Sequence, residues 1–178
     1  ELPHDPTVDF PHGTPARDII AGLVAPGDVE RAYRDLDAGE LACADRTRAM
    51  PGAVELTASL PVERWAVVTS AGRPLAEARL AAAGHAPRHV VSADDVTRGK
   101  PNPEPYRRGA AVLGMDPSRL AVFEDAAAGV AAARAAGIGL VVGVGDELDP
   151  ASVDVLLPDL RSARLVEADD RLVLELDS

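Results

Sequence analysis

From Pro61 onward the chain alternates short, wholly apolar runs with amphipathic stretches closed by glycine, and this rhythm most restricts the folds open to it. Trp65–Val68, Leu120–Phe123 and Leu140–Val142 are too short for buried helices and carry no polar face, as expected of strands covered on both sides. His89–Val91 is a weaker strand, and Val153–Leu157 and Leu172–Leu176 are later candidates, the last alternating like an edge strand. Between them, Pro74–Ala83, Glu104–Leu113 and Ala126–Ala136 read as helices, stopped by Gly84, Gly114 and Gly137. Strand, helix, strand, helix with glycine stops predicts a doubly wound parallel α/β sheet from about residue 61 to 178.

The preceding residues follow a different pattern. Residues 1 to about 14 are rich in Pro, His, Asp and Gly and predict irregular chain. From Pro15 to about Arg48 the pattern is helical, with Ile19, Ile20 and Leu23 on one stripe and Val29, Ala32, Tyr33 and Leu36 on another, broken at Pro26-Gly27-Asp28. A further helix is expected from Gly52 to Leu60 behind Pro51. Two short helices bury little by themselves, so residues 1–60 read as an appendage leaning on the core.

Charge narrows the functional classes. Eighteen basic against twenty-nine acidic residues leave a formal charge of −11, which disfavours nucleic acid and anionic membrane surfaces as partners. No apolar run reaches the ~18 residues of a membrane span and none has a signal-peptide layout. The single cysteine, Cys43, has no disulfide or metal-ligand partner, so a reducing cytoplasm is the expected setting. Seventeen of the eighteen basic residues are arginine. The exception, Lys100, supplies a compact point charge where arginine would supply a planar fork.

In doubly wound sheets, ligands bind beyond the carboxyl ends of the strands. Those ends carry Thr69, Ser70, Ala71 and Gly72; then Asp94 and Asp95 followed by Arg98-Gly99-Lys100-Pro101; then Glu124-Asp125; then Gly143, Gly145 and Asp146. A Thr69 or Ser70 hydroxyl can donate to an anionic oxygen beside the helix N-terminus, or simply cap that helix. Glu124-Asp125 can hold a cation through oxygen, as Mg²⁺ prefers, or Asp125 can cap the next helix. Lys100 is either a charge fixed by its flanking prolines or an exposed turn residue. Their joint order at successive strand ends predicts a site for a phosphoryl group, whose transfer depends mainly on positioning and charge stabilisation.

Three segments carry a family likeness: Val67-Val68-Thr69-Ser70-Ala71-Gly72-Arg73-Pro74, Arg98-Gly99-Lys100-Pro101-Asn102-Pro103-Glu104-Pro105-Tyr106, and Val122-Phe123-Glu124-Asp125-Ala126-Ala127-Ala128-Gly129-Val130. Together they resemble the haloacid dehalogenase superfamily, in its sugar-phosphatase and β-phosphoglucomutase-like branch. His12-Gly13 with Pro15-Ala16-Arg17-Asp18 is similar to the start of that branch's helical cap. The resemblance implies a partial helical cap and return to the core in 1–60, and a Rossmann-like core in 61–178. It assigns phosphoryl binding to Ser70, or to Thr69 one residue earlier, with Ala71 beside them. Lys100 would steady the charge of the nucleophile and phosphate, Asp125 would bind Mg²⁺ directly with Glu124 beside it, and Gly13 and Arg17 would contact the distal part of the substrate.

The family opens with an apolar strand ending in Asp-x-Asp-Gly-Thr, whose first aspartate attacks phosphorus. No such segment occurs here. Asp5 and Asp9 lie in a proline-broken stretch with no apolar strand before them. The expectation is therefore a Mg²⁺-dependent phosphatase of a small phosphorylated metabolite, a sugar or polyol phosphate, with the nucleophile segment missing from this chain and no turnover by the chain alone. Lacking that strand, the sheet is expected to expose apolar surface and edges. A phosphosugar mutase and a non-catalytic phosphate-binding or regulatory module are the alternatives; the sequence leaves the oligomeric state open.

Overall fold

The computed structural model describes residues 16–168 and 171–176. Helices α1 (Ala16–Leu23) and α2 (Val29–Ala42) pack on each other, and α2 also touches α4 (Arg73–Ala82). After α3 (Ala53–Ala58) come β1 (Ala66–Val68), α4, β2 (His89–Val91), α5 (Glu104–Leu113), β3 (Ala121–Glu124), α6 (Ala127–Ala136), β4 (Leu140–Val144) and β5 (Val155–Leu157). The parallel βα alternation expected from the sequence is present. β1 pairs parallel with β2, and β3, β4 and β5 form a second parallel set in that order. Among the described residues β1 and β3 do not pair with each other, so each keeps one free edge.

Side-chain alternation explains why these strands look wholly apolar. Val122, Val141 and Leu156 point into a core formed with Tyr106 of α5 and Val130, Ala132 and Ala133 of α6. Their neighbours Phe123, Val142 and Leu157 face the other way, into a core with Leu56 of α3. Both faces are therefore dry, and Val141 and Val142 are fully buried. Each contributes ~1.5–3 kcal/mol of burial. The fully buried Ala132 and Ala133 line α6 with methyl groups, which lets the helix lie close to the strands.

Two expectations about the sheet need correction. The second face is closed partly by an antiparallel hairpin of β6 (Ala163–Ala168) and β7 (Arg171–Leu176). Leu165 and Leu174 of that hairpin pack on the Leu56–Val142 core. The terminal strand therefore pairs with β6 and does not extend the parallel sheet, and β6 itself is absent from the sequence reading. Strand β4 also runs two residues beyond the expected end, so Gly143 lies inside it, opposite Leu156 of β5. A Cβ at Gly143 would come within 2.9–3.1 Å of Leu156, Leu148 and Val153. Its glycine serves packing, and it does not line the site.

Candidate active site

Three stretches far apart in sequence meet at the carboxyl ends of β1 and β3. A cleft of about 600 Å³ opens there, and Val67–Ala71, Lys100, Phe123, Glu124 and Asp125 all line it. Ala16, Met50, Leu75, Val144 and Leu160 add apolar wall, polar groups stand at the two strand ends, and Glu40 of α2 with Arg79 of α4 line the cleft away from them.

Lys100 is the centre of this arrangement. It is 6% exposed, as is Glu124, so neither is a solvated surface group. Its Nζ donates to the Val68 carbonyl at 3.2 Å, at the end of β1, and to Glu124 Oε1, at the end of β3. The reading of Lys100 as an exposed turn residue is thereby excluded. The ammonium joins the two strand ends, and the cleft lies on its remaining side.

Glu124 is held on every side. Oε1 also accepts from the Tyr106 hydroxyl, while Oε2 accepts from the backbone N–H of Asp125 (3.1 Å) and Ala126 (3.2 Å). A buried carboxylate needs this many donors to remain stable. Gly129, five residues on, makes room for it: a Cβ there would sit 2.0 Å from Glu124 Cδ. The glycine of Glu-Asp-x-x-x-Gly thus marks close approach of α6 to the carboxylate. Gly129→Ala is expected to displace Glu124 and destabilise the protein by ~1–3 kcal/mol. Urea denaturation measures it, and wild-type stability in the variant would contradict the packing account.

Asp125 behaves differently. Its side chain is exposed to the cleft, and partial burial followed by the Glu124 charge raises its carboxyl above the ordinary carboxylate range. It does not cap α6, whose N-cap is Ala126 without a side-chain bond. Ser70 likewise does not cap α4, where Gly72 holds that position. Ser70 and Thr69 both line the cleft, but the Thr69 hydroxyl oxygen accepts from the Ala71 N–H at 3.2 Å. Its acceptor role is turned toward its own loop. Ala71 lines the cleft beside them, and its carbonyl accepts from the Ala93 N–H at 2.9 Å.

Other strand-end residues take structural roles. Asp95 accepts from the backbone N–H (2.8 Å) and hydroxyl (2.7 Å) of Ser92 in a capping box and pairs with Arg73. Asp94 accepts from the Arg73 N–H at 2.8 Å. The two Ser92 bonds, then the Arg73 charge, hold the Asp95 carboxyl below the usual range. A depressed folded pKa means that this stabilisation is complete above the unfolded carboxylate range, near pH 4, and fades as pH falls through the lower folded value. Asp95→Asn should therefore cost ~1 kcal/mol at pH 7, with the gap to wild type closing toward pH 3. Urea titrations at both pH values read this, and a gap independent of pH would contradict it.

Arg17, expected to contact the distal part of a substrate, is exposed and paired with Glu30, and it does not line the cleft. Gly13 lies outside the described residues. Tyr106 belongs to the lysine segment but has no role in the sequence reading, and the structure shows it bonded to Glu124. Of the strand end after β4, the apolar Val144 lines the cleft, and Gly145 and Asp146 do not.

No group of three His, Cys, Asp or Glu side chains forms a preassembled metal cage among the described residues. Among them, too, no helix is long and apolar enough to cross a membrane.

The family model described as haloacid dehalogenase-like hydrolase matches residues 13–137. Glycerol-1-phosphate phosphohydrolase 2 of Saccharomyces cerevisiae is 36% identical over 155 residues, covering 80% of this chain and 61% of that protein. Hexitol phosphatase A of Escherichia coli is 39% identical over 135 residues, covering 72% and 62% respectively. The chain thus spans rather less than two thirds of the length of these two relatives. Among solved structures, a mutant CbbY of Rhodobacter sphaeroides in complex with xylulose-(1,5)bisphosphate superposes with a TM-score of 0.72 at 25% identity, over 84% of this chain and 75% of that one. With a family model matching residues 13–137 and the fold in agreement, the chain belongs to the haloacid dehalogenase-like hydrolases.

Proposed function

We propose that this chain is the greater part of a Mg²⁺-dependent phosphatase acting on small phosphorylated polyols or sugars in the cytoplasm. The observation that carries the reading is the buried ammonium of Lys100, clamped between the Val68 carbonyl and Glu124 at the lip of a cleft shared with Ser70 and Asp125. A buried positive charge at that lip stabilises a phosphoryl group far better than a solvated one, because it acts in a low dielectric and needs no reorganisation.

The residues divide the work. Lys100 neutralises charge developing on the phosphoryl oxygens. Ser70, with Thr69 as the neighbouring hydroxyl, donates to those oxygens, and the Ala71 backbone lies beside them. Glu124 fixes the lysine and, with both oxygens occupied, supports the metal from behind. Asp125 presents the open carboxylate. The fit to Mg²⁺ follows from that carboxylate, which opens onto the cleft beside the buried Glu124: partial burial first, and then the Glu124 charge, raise its carboxyl above the ordinary range, and a bound cation would offset both. Mg²⁺ also commonly keeps waters and takes only one or two protein carboxylates plus substrate phosphate. When bound, the ion supplies Lewis-acid stabilisation and alignment of the phosphoryl group.

Among the described residues lining the cleft, Glu124 is saturated, Glu40 pairs with Arg79 at 3.0 Å, and Asp125 is the carboxylate assigned to the cation, which leaves no carboxylate for attack on phosphorus. The nucleophilic aspartate of the family's aspartyl-phosphate chemistry would enter on a strand between the free edges of β1 and β3. Helices α1 and α2 would belong to the cap, where Gly13 and Arg17 would meet the distal part of the substrate once the cap closes. The 178-residue chain alone would then bind phosphate without turnover.

The test is phosphate release by the full-length protein from glycerol phosphate, hexitol phosphates and hexose phosphates, with Mg²⁺ and with chelator. Release from small monophosphates that stops on chelation is expected. Isomerisation of a phosphosugar without release would favour a mutase, and binding without either reaction would favour a regulatory module.

A further inference from the structure

We propose that Tyr106 is a positioning residue for Lys100, acting through the Glu124 oxygen that the two share. The inference rests on the reading that Lys100 meets the phosphoryl group. Tyr106 stands on α5 and is 5% exposed, packed in the core with Val130 and Ala133 of α6. Phenylalanine would fill that volume equally well, and a buried hydroxyl costs stability unless it finds a partner. The partner here is Glu124 Oε1, which also receives the Lys100 ammonium. The same ring lies with its centroid 5.0 Å from Lys100 Nζ.

The carboxylate therefore receives four donors, two on each oxygen. The two backbone N–H groups fix Oε2, whereas Oε1 is balanced between the phenol and the ammonium. Removing the phenol donor leaves the whole charge of Oε1 to the lysine. The ammonium is then drawn toward Glu124 and away from the cleft, and its attraction for an incoming anion falls. Tyr106 touches neither the cleft nor any reacting atom, so its influence on the site runs through this shared oxygen.

The composition of the chain makes this measurable. Lys100 is the only lysine, so ¹⁵N-lysine labelling of the 178-residue protein gives one side-chain ammonium signal. In wild type that signal should move on titration with inorganic phosphate and Mg²⁺. Tyr106→Phe keeps the ring and the packing. It should shift the signal in phosphate-free protein and raise the phosphate concentration for half-maximal response roughly tenfold, while the lost donor to the buried carboxylate lowers the melting temperature without unfolding the protein at the temperature of the titration. A purely structural Tyr106 would leave both the ammonium signal and the phosphate midpoint as in wild type, and that result would overturn the proposal. A wild-type signal indifferent to phosphate would instead overturn the phosphate-site reading, and the phosphate-free shift would still decide whether Tyr106 acts on Lys100.

Discussion

Replacing Lys100 with methionine should lower phosphate release by the full-length protein roughly a thousandfold and destabilise the fold at the same time. The catalytic loss would follow from removing the ammonium at the proposed phosphoryl site, an electrostatic contribution of ~3–4 kcal/mol. The stability loss has a separate origin. Lys100 and Glu124 have side chains only 7% and 5% exposed, so removing the cation leaves an uncompensated buried carboxylate. Breaking such a pair costs ~3–5 kcal/mol, whereas removing both charges is close to neutral. The double variant Lys100→Met with Glu124→Gln should therefore recover most of the stability and none of the activity. Urea denaturation and phosphate release, measured on the same preparations, separate the two effects. Recovery of activity in the double variant would contradict the role assigned to the lysine.

Asp125→Asn should show the opposite relation between activity and stability. Loss of the open carboxylate would remove the ligand proposed for Mg²⁺, and phosphate release should fall by roughly a thousandfold, or ~4 kcal/mol. The metal-free fold should be as stable as wild type or more so. Burial and the neighbouring Glu124 raise the Asp125 carboxyl in the folded state. A raised folded pKa means that stability is lost as pH climbs from the unfolded carboxylate range through the folded value. Asparagine carries no charge and escapes that loss, so the advantage of the variant should grow above about pH 4 and vanish at lower pH. Thermal melting in chelator across this range measures it. A variant less stable than wild type at neutral pH would show that Asp125 holds the fold together and is not kept for a cation.

The contrast between the adjacent acids also shows how far the sequence can be read. The strand ends, the order of hydroxyl, lysine and acidic pair, and the limits of α5 follow from apolar runs and glycine stops, because local pattern and tertiary position agree there. The division of labour between Glu124 and Asp125 is not local. It depends on α6 approaching through Gly129 and on Tyr106 arriving from α5, and neither contact leaves a periodic signal. Asp94 and Asp95 illustrate the converse error, since carboxylates at a strand end look available until Arg73 and Ser92 are seen to claim them. Strand β6 escapes the sequence reading because its partner is antiparallel and a parallel βα template leaves no place for it. The extension of β4 through Gly143 escapes it because glycine reads as a turn unless facing side chains are known to fill its space.

A crystal structure of the full-length protein with Mg²⁺ and orthovanadate would test the central assignment most directly. The account predicts the anion within hydrogen-bonding distance of Lys100 Nζ and the Ser70 hydroxyl, with the cation on the Asp125 carboxylate. An anion bound elsewhere, or a Lys100 amine turned away from it, would contradict the account.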